Sequence, residues 1–104
     1  MAGYSESMDA VRAILTTLTR ETAWERKNEI SRAIDIALAH LTWTPAVGAA
    51  ATDAAARCFE TLRLASRAAT AGTPLQDEAA REALAAIDAL ETALAAAPPA
   101  VRPG

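Results

Sequence analysis

The chain has 104 residues, enough for one small domain with a single core. It is 52% hydrophobic but only 4% aromatic, with 29 alanines, a composition that favours helix and leaves few strand formers. The formal charge is -3, and ten basic residues are scattered among thirteen carboxylates; with no basic stripe, neither nucleic acid nor an anionic lipid surface is an expected partner.

The first helix is predicted from Ser5 or Glu6, with Ser5 as N-cap. Tyr4, Met8, Val11, Ile14, Leu15 and Leu18 recur at three- and four-residue spacing and make one apolar stripe. A second helix is expected from Ala23 to Trp43, with the stripe Ala23, Ile30, Ile34, Ala37, Leu38 and Leu41. The two stripes are more than about 90° out of phase on one helix, and "TAWE" at Thr22 reads as a capping box. A break is therefore placed at Arg20 to Thr22. Trp24, at the edge of the core stripe, is expected to seal the junction.

Pro45 and Gly48 read as punctuation after the second helix. A third helix is predicted over Thr52 to Ala71, ended by Gly72. Its stripe is Ala51, Ala55, Cys58, Phe59, Leu62, Ala65, Ser66 and Ala69. "GTP" at Gly72 to Pro74 marks a turn, with Thr73 capping a fourth helix and Pro74 at its first position. That helix is expected to bury Ala80, Ala83, Leu84, Ile87, Leu90 and Leu94. Residues 98–104 form a Pro-rich tail expected to be disordered. The fold expected for residues 1–97 is an all-α, up-and-down antiparallel bundle of four helices, or of three if the first two merge.

Little in the sequence points to catalysis. His40 is the single histidine and Cys58 the single cysteine, too few for a convergent metal site. Cys58 falls on an apolar stripe and reads as core. The histidine of a phosphotransfer domain sits mid-helix, followed within a turn by lysine and glycine; "AHLTWTPAVG" has neither. His40 reads instead as a residue near a helix C-terminus. The carboxylates alternate with arginines as a solvated face does. No catalytic residue, cofactor or metal is expected. The polar opening "MAGYSESMDA" and the lack of a long apolar run predict neither a signal peptide nor a membrane span, and the cytoplasm is the expected compartment.

With the core stripes turned inward, Ile36 and Trp43 fall on the far side of the second helix, with Ala39 beside them, and Leu64 and Ala68 on the far side of the third. Either the second helix is central and buried on both sides, or these five residues face a partner helix. In the second case Trp43 is the expected anchor.

The order of pieces carries a resemblance. A short helix and the polar break "TRETAWERKNEI" lead into "SRAIDIALAHL"; a loop, the long "ATDAAARCFETLRLASRAA", a turn and "EAAREALAAIDALETAL" follow. This resembles the flagellar export chaperone family FliS, whose members carry a pattern of the kind x-x-K-N-x-x-I-x-x-A-x-x-I-I-x-x-L. Lys27, Asn28, Ile30, Ala33, Ile34, Ile36, Leu38 and Leu41 echo it. The chain departs from the family in lacking its Thr-Ala-Ser-Pro-like opening and the tryptophan of its last helix. The resemblance implies a non-enzymatic, cytoplasmic chaperone that shields an amphipathic client such as the C-terminal helices of flagellin, without a cofactor. The alternatives are a self-associating structural or regulatory bundle and a histidine phosphotransfer domain on His40.

Overall fold

The computed structural model describes residues 3–39, 41 and 43–98. It contains four α-helices and, among the described residues, no strand. They are α1 (Gly3–Thr17), α2 (Lys27–Ala39), α3 (Pro45–Ser66) and α4 (Glu78–Ala96), with a 3-10 turn at Trp24–Arg26 leading into α2. The all-α four-helix bundle expected from the sequence is what forms.

The break after α1 lies where the change of phase places it. Thr22 and Ala23 both donate their N–H groups to the Thr19 carbonyl, at 3.2 and 3.0 Å. The capping box, however, does not form. Ala23 is already in the right-handed helical region, with no side-chain cap. The Thr22 hydroxyl instead accepts from the Thr19 N–H at 3.1 Å, so it builds the turn rather than starting the helix. Nor does Trp24 seal the junction: it is 54% exposed, and Leu18 and Ala23 are the residues buried there.

α2 stops at Ala39, short of the expected Trp43, and α3 begins seven residues earlier than expected. Both corrections have one cause. Proline breaks a helix interior but suits its first position, where no N–H bond is lost. Thr44 is extended, as a residue before proline prefers, and its hydroxyl accepts from the Val47 N–H at 3.1 Å. Thr44 and Pro45 therefore open α3 instead of closing α2. Gly48 lies inside α3 beneath the Trp43 ring: a Cβ there would collide with Trp43 Cζ2. Its lack of a side chain is what lets the indole lie down on the helix.

α3 ends at Ser66 rather than Ala71. Arg67 and Ala68 close it with bonds to the Leu64 and Ala65 carbonyls, each 3.1 Å, the tight i to i+3 type that satisfies helix ends. Gly72, with φ +76°, turns the loop six residues later. α4 does not start at Thr73 and Pro74. The Leu75 N–H donates to the Leu18 carbonyl at 3.0 Å and its side chain packs against the core, which holds this segment out as a loop. Asp77 is the N-cap, accepting from Ala79 N at 2.9 Å and Ala80 N at 3.4 Å.

Met8, Val11, Leu15 and Leu18 meet Ile30, Ile34, Leu62, Ile87, Leu90 and Leu94 in one core, with alanines filling the remaining positions. On α3 the buried face runs Val47, Ala51, Ala54, Cys58, Thr61, Leu62 and Ala65. Ala54 and Thr61 replace the expected Ala55 and Phe59, a rotation of the stripe by about one residue; Ala69 is exposed. The buried Thr61 hydroxyl lies within bonding distance of the Arg57 carbonyl (2.9 Å) and the Ala79 carbonyl (3.1 Å), tying α3 to the start of α4.

The helices form a ring in which α1 packs broadly on α2, α4 on α3, and α1 on α4; the fourth side, α2 against α3, is the thinnest. Charged pairs reinforce the broad sides. Arg12 of α1 bonds Asp9, Asp88 and Glu91. The Glu91 hydrogen bond foremost raises the affinity of the Arg12 guanidinium for its proton. Arg57 bridges α3 to Glu82 of α4 at 2.8 Å. Pro98 is the last described residue, so most of the expected tail lies outside the described residues.

Candidate interaction surface

The thin α2–α3 side is where the molecule leaves large apolar groups uncovered. Only five residues separate the end of α2 at Ala39 from the start of α3 at Pro45, and α3 turns its buried face chiefly toward α4. Ile30, Ser31, Ile34 and Asp35 of α2 and Ala55, Cys58 and Phe59 of α3 line a cleft of about 80 Å³ between them. Toward the α2–α3 connection the cleft gives way to a broad trough lined by Leu38, Trp43, Gly48, Ala51, Thr52, Asp53 and Ala56. Trp43 is 67% exposed over this trough.

Phe59 was expected in the core and is 37% exposed. Its ring lies beside the α2–α3 cleft, with the Lys27 ammonium 5.7 Å from its centroid, a cation–π distance. This residue is missing from the five read off the sequence. The signal was the α3 register: once the helix starts at Pro45 and buries Ala54 and Thr61, Phe59 must sit at the edge of the stripe.

The five expected residues do not share one patch. Trp43 lies on the α2–α3 side, and Ala39, also exposed, ends α2 nearby in sequence. Ile36, 44% exposed, lines a separate trough with Glu6, Ser7 and Ala10 of α1 and Glu29, Arg32 and Ala33 of α2. Leu64 and Ala68 are half-buried toward the other end of α3. Sixteen residues separate Gly48, under Trp43, from Leu64, about 24 Å of helix. The Ala68 carbonyl there accepts from Arg20 Nη1 at 3.3 Å.

Charge on the α2–α3 side is sparse and ordered. Lys27 stands at one end of α2 and Asp35 two turns further on, and neither makes an ion pair with a described residue. Their neighbours do: Arg26 with Glu29 at 2.9 Å and Arg57 with Asp53 at 3.4 Å. Beneath the cleft lies Cys58, 1% exposed, its thiol pushed up by burial to about 12. A thiol so protonated is a poor nucleophile at neutral pH. Among the described residues no three His, Cys, Asp or Glu side chains are grouped to hold a metal ion. No described helix is long and apolar enough to cross a membrane. His40, the residue on which a phosphotransfer reading would stand, lies outside the described residues.

No family model matches the chain, and neither a curated protein nor a solved structure shows significant similarity to it.

Proposed function

We propose that this chain is a non-enzymatic helix-binding export chaperone or adaptor of the cytoplasm, similar to FliS, and that its α2–α3 side receives an amphipathic client segment such as the C-terminal region of a flagellin. The observation that carries the reading is the uncovered pair Trp43 and Phe59 on the one side of the ring where two helices barely touch. An apolar cleft between two helices suits a third helix, which lays its i, i+3, i+4 and i+7 residues into it. A client disordered on its own would order as it binds and would need no cofactor. The charges give it a direction. Asp35 attracts the positive N-terminal end of a helix, and Lys27 the negative C-terminal end, so the client runs antiparallel to α2.

Calorimetric titration of the full chain with a flagellin C-terminal segment tests this. Saturable binding near one-to-one, with a gain of helicity by circular dichroism, is expected. Trp43→Ala and Phe59→Ala are each expected to weaken binding about tenfold or more, as hot-spot truncations do, while far-UV helicity is kept. Ile36→Asp, in the separate α1–α2 trough, is the control and is expected to leave affinity unchanged. Absence of heat and of helicity gain across tens of micromolar would overturn the assignment.

A further inference from the structure

The α2 face that looks toward the cleft has a symmetry of its own. Lys27, Ser31 and Asp35 are spaced one turn apart and all exposed. Ser31 and Asp35 line the cleft and Lys27 leans on Phe59 at its edge. Ser31 is the midpoint between Lys27 and Asp35, neither of which makes an ion pair with a described residue. Seven residues to either side of it stand Trp24, 54% exposed, and Leu38, part-buried beside Trp43. Seven residues is close to two full turns, so Ser31 and Leu38 share one line along α2, while Trp24 stands in the 3-10 turn that leads into it.

Such a face is complementary to itself when reversed. Lay a second α2 antiparallel on the first, with a two-fold axis through Ser31. Lys27 of each copy then meets Asp35 of the other, and the small Ser31 side chains meet at the axis, where they let the helices approach. A parallel arrangement would set lysine on lysine and aspartate on aspartate. A two-fold axis makes each favourable pair twice.

We propose that a second copy of this chain covers the α2–α3 face, in an antiparallel two-fold dimer with Ser31 on the axis and Lys27 of each copy paired with Asp35 of the other. The inference rests on the reading of this face as a binding surface given under Proposed function, and it names the occupant of that surface when no client is present. α2 has the polarity the cleft takes: its basic residue reaches the acidic end of the other copy, and its acidic residue the basic end. A client helix and the second copy therefore compete for one site.

Sedimentation of the full chain, from low to hundreds of micromolar, is the test. A reversible monomer–dimer equilibrium is expected. Lys27→Asp and Asp35→Lys, both at exposed positions, are each expected to weaken it about tenfold or more, because like charges then face each other. Mixing the two variants is expected to restore a one-to-one heterodimer, and the double variant to restore the homodimer. A second measurement fixes the axis. Ser31→Cys is expected to give a covalent dimer under mild oxidation, whereas Arg32→Cys, a residue round the helix, and the unaltered chain with its buried Cys58 are not. A chain that stays monomeric throughout, a dimer indifferent to both charge reversals, or Ser31→Cys that fails to cross-link would overturn the proposal. The two readings fail separately: client binding by a strictly monomeric chain removes the dimer alone, and a charge-dependent dimer that takes up no client removes the client alone.

Discussion

Cys58 sits under the floor of the α2–α3 cleft, so its chemistry reports on whether that floor is closed. Burial holds the thiol up to about 12 against an ordinary 9.0. Alkylation at pH 8 is expected to be slow in the native chain and fast once it is unfolded, which mass spectrometry would read directly. The linkage has a definite sign. Below about pH 9 the thiol is protonated in both states and adds no slope. Above that, the unfolded thiol ionises first, and stability is expected to fall as pH rises from about 9 toward 12. Cys58→Ala removes this group, so the difference between the two denaturation profiles, measured across that window, isolates its contribution. A profile unchanged by the substitution would mean that the thiol is reached by solvent.

Helix beginnings govern the placement of everything downstream of α2. Thr44 supplies the one hydroxyl cap of α3, and Thr44→Ala is expected to cost about 1 kcal/mol in urea denaturation. A loss under a few tenths would show that Pro45 alone sets the start. What the sequence disclosed follows from the same physics. The stripes of α1 and α4 were legible because Met8, Val11 and Leu15, or Ile87, Leu90 and Leu94, repeat without interruption and bury as their spacing requires. The start of α3 was not, because Pro45 and Gly48 look like breakers until Thr44 is seen to cap and Trp43 to need the glycine. The start of α4 depends on a bond between Leu75 and Leu18, which are distant in sequence. The site was half legible. The exposure of Ile36 could be read from helical phase; that of Trp43 could not, since it lies beyond the helix. Nor could their facing different troughs, because α2 ends at Ala39 and Trp43 lies against Gly48 of α3.

As a ring, the molecule is unevenly closed, and local opening should follow that unevenness. α4 packs on both α1 and α3 and is reinforced by Asp88, Glu91 and Glu82 with their arginine partners. Its amides from Ala83 to Leu94 are expected to exchange most slowly with deuterium, and those from Ile36 to Ala39 fastest among the helices. The opposite order would show that the α2–α3 side is the tighter one.

One end of this ring is stitched by hydrogen bonds between loops. Leu75 reaches the Leu18 carbonyl, the Gly72 N–H reaches Glu21 at 3.4 Å, and the Arg20 side chain reaches the Ala68 carbonyl. α2 leaves that end and α3 returns to it, while Trp43 lies at the far tip. At that tip only five residues join α2 to α3, and α2 lies along α1 for its length. The cleft is thus tied at both ends, and what enters it must widen it along its middle, beside Ile34 and Phe59, while the base keeps its wiring.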